Sequence, residues 1–361
     1  MKIAVYAIAL NEAKHAERWA KATQGADFRM VADTGSTDKT KEILRKHGVT
    51  VHDISIKPFR FDDARNAALS LLPLDIDICV SLDLDEIPDP DFFDKLRDNW
   101  KIGATRAWVF WDTNSRWLNN NRVHARTGYR WVKPCHEVTV KYPSTNEHDI
   151  IIETMVTHKP DDSKPRNQYL PLLQMAVDED PYDMRMRVYL IREYYFAQRW
   201  QDVIDEGQRL FRHERKVDTW APELAAAYRG VGDAYDKLDD KDTAYEMYKA
   251  GYVVAPHEIE AVFPLAYWHY ANQDWQQCYD LANEVNLLKP SGHYLMDESI
   301  TKWRAYDLLA ISSWNLGKRG SAKKWARLAV EGNPTDQRLI DNYKFMLKGQ
   351  SNDTSTLTKD S

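Results

Sequence analysis

The chain has 361 residues, 43% of them apolar and 29% charged, which is the composition of an ordinary globular protein rather than a disordered or fibrous one. That length exceeds the usual reach of one hydrophobic core, so two domains are expected. A net charge of -6 excludes whole-chain attraction to nucleic acid or to an anionic membrane, although a local basic face would still be compatible with it.

Lys2 to Leu10 is an almost continuous apolar run and reads as a strand covered on both faces; Asn11 and Glu12 end it, and no small-residue cleavage site follows. Glu12 to Thr23 has helical spacing of Ala13, Ala16 and Ala20. Phe28 to Ala32 is a second strand, followed by DTGSTDKT, a helix over Lys41 to His47 closed by Gly48, and a third strand over Val49 to Ile54. Such alternation predicts a parallel sheet. A further apolar stretch, Ile76 to Leu82, stops at Asp83 and Asp85, and ligands of open α/β sheets bind at that carboxyl edge. Residues 104 to 158 change texture, with Trp108, Trp111, Trp117 and Trp131 among short β-like runs such as Glu137 to Tyr142 and Ile150 to Thr157, and read as the mixed half of the same domain.

After about Pro165 strand signals vanish and helices are expected to about residue 348, before a polar tail, SNDTSTLTKDS. Trp200 and Trp275 each stand three residues before Val203 and Cys278, and Ala244 and Ala322 take the equivalent place in two other units. Ala244 to Cys278 is 34 positions, as is Pro256 to Pro290, the period of a helix-turn-helix tetratricopeptide unit. Pro290 to Pro334 is 44, which implies a ten-residue insertion near Ser291 to Ile300. Gly232, Ala266 and Ala310 follow the same spacing, as small residues do where two helices approach closely. The repeat resembles the tetratricopeptide family over roughly residues 183 to 348.

Four constellations bear on chemistry. Asp83, Asp85 and Glu86 in VSLDLDEIPD fit a hard divalent cation held against a diphosphate, or a solvated acidic turn. Asp33-Thr34-Gly35-Ser36-Thr37-Asp38 is a well-capped helix start, and its first carboxylate could also accept hydrogen bonds from a nucleoside. In FRFDDARN, Arg65 offers a planar fork suited to phosphate, or a surface ion pair with Asp62. In RWVKPCHEV, Glu137 or His136 could act as general base, and His158 ends a β-like run where an imidazole could complete a metal site.

The order ALNEA, ADTGSTDKTKEI, FRFDDARNAAL, SLDLDE, RWVKPCHEV and then His158 resembles family 2 glycosyltransferases of the A-type fold, in the branch that carries tetratricopeptide repeats behind the catalytic domain. The resemblance implies an α/β nucleotide-sugar-binding catalytic domain over 1–165, an all-α tetratricopeptide-like domain over 166–348 and a disordered tail over 349–361. It implies a nucleotide-sugar donor, most often a uridine diphosphate sugar, transferred with inversion. Donor contacts would come from Asn11, from Asp33 to the base, from Arg65 to the nucleotide or diphosphate, and from Asp83 near the ribose and metal. A divalent metal, Mn²⁺ or Mg²⁺, would sit on Asp85 and His158, and Glu137 matches the catalytic base; His136 stands where an acid often precedes it, and DLDE is a variant spacing.

The acceptor stays open among protein or peptide, glycan and a modified DNA base such as hydroxymethylcytosine. Five Arg and two Lys lie among the tryptophans between Ala104 and Lys141, and such a mixture either binds rings and phosphates or packs a small β subdomain. The repeats are expected to frame the acceptor or to hold a second subunit in a homo-oligomer. Two other classes compete: a non-catalytic repeat scaffold with a relic transferase domain, and a metal-dependent nucleotidyltransferase. Three cysteines in unrelated segments, Cys79, Cys135 and Cys278, fit neither a disulfide framework nor a CxxC metal site. With no uninterrupted apolar window of roughly 18 residues, a cytoplasmic protein without a membrane anchor is expected.

Overall fold

The computed structural model describes residues 1–112, 116–159, 169–213, 220–292 and 295–349, with the side chains of 116–121 and 213 left aside. The expected boundary at residue 165, the Trp117 side chain, part of the expected insertion and the tail beyond 349 fall outside the described residues. The chain divides into two compact units, Met1–Ala176 and Val177–Ser361.

The first unit runs β1 (Ile3–Ala9), α1 (Ala13–Ala22), β2 (Phe28–Asp33), α2 (Thr40–Lys46), β3 (Thr50–Asp53), α3 (Phe61–Ser70), β4 (Ile78–Ser81), β5 (Glu86–Pro88), α4 (Phe92–Asn99), β6 (Arg106–Asp112), β7 (Arg116–Ala125), β8 (Tyr129–Val132), β9 (Val138–Lys141) and β10 (Asp149–His158). Eight strands form one sheet in the order β3-β2-β1-β4-β7-β6-β10-β5, and β8 pairs with β9 in a separate ribbon. The strands β3, β2, β1 and β4 are parallel, as the alternation predicts. Beyond β4 the sheet is mixed: β7 is antiparallel to both β4 and β6, β10 is parallel to β6, and β5 closes the edge antiparallel to β10.

β1 is continuously apolar because it faces two cores. Ile3, Val5 and Ala7 point to one, with Trp19 and Ala20 of α1, while Ala4 and Tyr6 point to the other, with Ala68 and Leu69 of α3. Successive residues of a strand face opposite sides, so a strand covered on both needs no polar alternation. Trp19 is fully buried and its Nε1 donates to the Leu82 carbonyl at 3.1 Å, which ties α1 to the chain just before Asp83. Gly48, at φ 73, closes α2 in the left-handed conformation for which glycine has no steric cost.

Crossing from one unit to the other in sequence is α5 (Tyr169–Glu179). The second unit is a series of helical hairpins: α6 (Met184–Phe196) with α7 (Trp200–His213), α8 (Ala221–Lys237) with α9 (Lys241–Val254), α10 (Ile259–Ala271) with α11 (Trp275–Leu287), and α12 (Ala305–Asn315) with α13 (Arg319–Gly332), then α14 (Gln337–Lys348). Each hairpin turns on one left-handed residue, Gln198, Asp239, Gln273 or Gly317. Each of these stands five residues before the small or medium residue noted in the repeat, Val203, Ala244, Cys278 or Ala322, and all four are fully buried. Asp240 and Asp274 cap the second helices of their hairpins, accepting from Thr243 N and Gln277 N. Gly232 fits its place because a Cβ there would meet the Tyr248 ring at 2.5 Å.

A wide π turn, Ile300–Arg304, leads into α12, and its backbone abuts α13. A Cβ on Gly332 would lie 1.8 Å from the Lys302 carbonyl oxygen, so backbone must shift to admit it. Gly332→Ala is expected to destabilise the second unit by about 1–3 kcal/mol despite alanine's better helix propensity. Urea unfolding followed by helical circular dichroism checks this, and an unchanged or raised midpoint contradicts the contact. Among the described residues, no helix is long and apolar enough to cross a membrane.

Candidate active site

At the carboxyl ends of the parallel strands, the loop after β2 is built by hydrogen bonds rather than packing. Asp33 is fully buried, and its Oδ1 accepts from Gly35 N at 3.0 Å and Ser36 N at 2.7 Å, while its Oδ2 is buried without a protein partner. Asn11, at φ 55, donates its backbone N–H to Ser36 Oγ at 2.8 Å and accepts from Thr37 N at 2.9 Å through Oδ1. Asp38, two residues before α2, accepts from Thr40 N and from Ala13 N. Asn11 and Asp33 therefore shape one loop, and the unpaired Asp33 Oδ2 is the acceptor it leaves over.

The next group centres on Arg65. It lies on the buried stripe of α3 with Ala64 and Ala68, and is 3% exposed. Its guanidinium grips Asp83 with both terminal nitrogens, Nη1 at 2.8 Å and Nη2 at 2.9 Å, and donates from Nε to Glu137 Oε1 at 2.5 Å and from Nη1 to Ser81 Oγ. The surface ion pair weighed for Arg65 does not form, because Asp62 is held by Arg60 at 2.7 and 2.8 Å. Arg65 thus sits behind the carboxylates as their shared counter-charge, and Glu137 is anchored through it. The adjoining turn has two non-glycine residues in the left-handed region, Lys133 at φ 83 and His136 at φ 49, and His136 stacks on Tyr169 with ring centroids 5.8 Å apart. Strained backbone of this kind persists only where its surroundings hold it.

Burial works against a charge on Asp83, but Arg65 and Arg122 outweigh it and hold its carboxyl well below the usual carboxylate range. Glu86 has the opposite balance: burial, aided by the Asp83 charge and only partly countered by Arg122, pushes it up to about 7.

Asp85 and His158 meet at the edge formed by the β4–β5 turn and the end of β10, Oδ2 to Nε2 at 3.3 Å, both partly exposed. The hydrogen bond to Asp85 raises the His158 pKa, with burial opposing. An oxygen and an imidazole nitrogen this far apart suit two neighbouring ligands of one cation, whose bonds are roughly 2.0–2.2 Å long. Among the described residues no cluster of three or more His, Cys, Asp or Glu side chains forms, so further ligands would have to be phosphate oxygens or water.

Beneath these groups runs a buried chain that the sequence did not disclose. Trp131 Nε1 can only donate, and it does so to Tyr6 Oη at 2.7 Å; Tyr6 in turn donates to His124 Nε2 at 3.1 Å, and His124 Nδ1 donates to the Ala125 carbonyl at 2.8 Å. Asn66 fixes the Trp131 backbone with a reciprocal pair of bonds at 2.9 Å. Arg65 and Arg122 lie 5.0 and 5.9 Å from the Trp131 ring centroid, so this chain sets the platform for both cations. The residues missed were Tyr6, His124 and Arg122; the one signal for the last two was polar side chains at alternate positions, 122 and 124, on either side of the buried Val123.

Burial lowers the His124 pKa to about 4 from 6.5. The neutral ring thus stabilises the fold in full above pH 6.5, and that contribution is lost as pH falls from 6.5 through 4, about 3 kcal/mol in all. His124→Gln is expected to flatten the acid dependence of unfolding of the first unit over that window. Identical pH slopes in the two proteins would rule out this origin.

The aromatic and basic segment packs internally. Trp111 and Trp131 are buried, and Trp108 donates to Asp149 at 2.8 Å. Arg106 pairs with Asp149 and Glu147, Arg122 with Asp83 and Glu86, and Arg126 donates to the Leu72 and Pro73 carbonyls. Of the two readings of this segment, subdomain packing accounts for these side chains, while Arg130 and Lys141 are exposed.

No protein-family model matches the chain, and no curated protein matches it. Among solved structures, the helical part is similar to YrrB, described as a TPR protein with an unusual peptide-binding site, at 12% identity and a TM-score of 0.40 over 49% of this chain and 82% of that one. It is also similar to MamA, at 16% identity and a TM-score of 0.36 over 46% of this chain and 86% of that one. A slighter similarity is to glucosyl-3-phosphoglycerate synthase from Mycobacterium tuberculosis, solved with Mn²⁺, UDP and glucosyl-3-phosphoglycerate, at 25% identity and a TM-score of 0.27 over 31% of this chain and 44% of that one.

Proposed function

We propose that the chain is a glycosyltransferase that moves a sugar from a nucleotide donor, with uridine diphosphate as the nucleotide, to an acceptor deprotonated by Glu137, with inversion and with Mn²⁺ or Mg²⁺ as cofactor. The observation that carries this reading is the convergence at one sheet edge of an unpaired buried Asp33 oxygen, the Asp83–Arg65–Glu137 bridge and the Asp85–His158 pair. Asp33 Oδ2 offers a buried acceptor for the N–H of a base, a group costly to leave unsatisfied. Asp85 and His158 would hold the cation, which when bound offsets the charge that builds on the departing diphosphate. Glu137 Oε1 is fixed by Arg65, so Oε2 is the oxygen left for the acceptor's proton. As that proton transfers, the acceptor bonds to the anomeric carbon, the bond from that carbon to the diphosphate oxygen breaks, and the nucleoside diphosphate leaves.

A second reading has its own support. In the helical unit a groove of about 770 Å³ is lined by Tyr189, Tyr195, Arg229, Tyr267 and Trp268, among others, a surface suited to a polypeptide. A pure binding scaffold would use this groove and leave the sheet edge idle.

Thermal stabilisation of the full chain against nucleotides and nucleotide sugars, with and without Mn²⁺, separates the two. A donor at 100 times its dissociation constant is expected to add about 2.7 kcal/mol, and only with the metal. Absence of any shift across the nucleotide sugars favours the scaffold, and a shift with nucleoside triphosphates alone favours a nucleotidyltransferase.

A further inference from the structure

We propose that Arg122 is a positioning residue that clamps the acidic turn presenting Asp85 to His158, a role that rests on the cation reading given above. The turn from Asp83 to Glu86 is closed internally by two hydrogen bonds: Glu86 N donates to the Asp83 carbonyl at 2.9 Å, and Asp83 N donates to Glu86 Oε2 at 2.7 Å. Arg122 closes it from outside. Its Nη2 lies 3.3 Å from Asp83 Oδ2 and 3.2 Å from Glu86 Oε1, so one guanidinium nitrogen holds both ends of the turn. Asp85 lies between those ends, and the ion pairs of Arg122 go to Asp83 and Glu86 on either side of it.

Three features make the clamp consequential. Glu86 opens β5, a strand of only three residues at the sheet edge, and short edge strands contribute little pairing of their own. Glu86 is also the register partner of His158, and Lys159 N donates to the Asp85 carbonyl at 2.8 Å, so displacement of the turn would shift Asp85 and His158 relative to each other. Glu86 is buried beside the part-buried Asp83, and without Arg122 the only arginine left to this pair is Arg65, which reaches Asp83 but not Glu86. Arg122 is itself held on β7 beside the Trp111 and Trp131 rings, at 5.7 and 5.9 Å, so the brace runs from the middle of the sheet to its edge. A lysine would keep the charge but would lack the planar fork and its stacking surface.

Groups that orient metal ligands without touching the metal typically change affinity 10- to 100-fold when removed. The test uses the full chain, with free Mn²⁺ counted by electron paramagnetic resonance in the presence of UDP. Arg122→Lys and the double variant Arg122→Gln/Glu86→Gln, which leaves no lone buried carboxylate at Glu86, are compared with wild type and with Asp85→Asn. The expected result is a fall in Mn²⁺ affinity of roughly 10-fold or more in both Arg122 variants, while UDP binding measured in EDTA changes less than about twofold and circular dichroism matches wild type. Mn²⁺ affinity unchanged in a folded Arg122→Lys protein, with loss in Asp85→Asn, overturns the role of Arg122 alone. Retention of Mn²⁺ by Asp85→Asn, or no Mn²⁺ binding by wild type, overturns the cation reading and the clamp with it.

Discussion

Asp85→Asn is expected to lower cation-dependent sugar transfer by at least about two orders of magnitude, the equivalent of roughly 3 kcal/mol of transition-state stabilisation. The substitution keeps the size and shape of the side chain, and it spares the backbone bond from Lys159 N to the Asp85 carbonyl, so the turn has no steric reason to move. What it removes is the negative oxygen facing His158 at 3.3 Å. Initial rates across a Mn²⁺ titration check this, alongside melting curves that should show the helical unit unchanged. A variant that keeps the wild-type rate and metal dependence would remove Asp85 from the cation site.

Arg65→Met should have the largest effect on stability, about 3–5 kcal/mol lost from the first unit, because it removes the ion pair of Glu137 and one of the two arginines that hold Asp83. Glu137 would then lose its ion pair and Asp83 would keep only Arg122, in a pocket where Arg65 itself is 3% exposed. The added cost arises from those stranded acids, so combining Arg65→Met with Asp83→Asn and Glu137→Gln is expected to recover part of it. Denaturant unfolding resolved for each unit is the measurement, and a loss below about 1 kcal/mol, the range of exposed pairs, would mean the bridge is far more solvated than its geometry indicates.

Much of the first unit was legible because its strands are two-sided. An unbroken run such as Ile3 to Ala9 has few alternatives to a buried strand, and acids directly after such runs, Asp33 and Asp83, had to fall at the carboxyl edge. The helical repeat was legible for a similar reason, since the small residues that permit close approach must recur with the hairpin. Contacts made far along the chain were not legible. Arg65 and Asp62 are three residues apart and looked like partners, yet Asp62 turns to Arg60 while Arg65 faces the sheet. Tyr6 and His124 meet across 118 positions, and nothing local in either segment specifies the other. The arginines of 104 to 141 left two readings open for the same reason, because a count of charges carries no information about which acids the sheet brings beside them.

The three cysteines occupy three separate places in the fold. Cys79 lies in β4, Cys135 in the turn before Glu137, and Cys278 in α11; all are buried thiols outside any disulfide. Burial pushes Cys79 and Cys278 up to about 12, and a buried neutral thiol is a poor nucleophile. Alkylation in native buffer must therefore wait for local opening, and its rate at each thiol reports the free energy of that opening. The chain thus carries three built-in clocks, one in the sheet, one beside the candidate base and one in the helical array, which a single mass-spectrometric time course can read side by side without altering a residue.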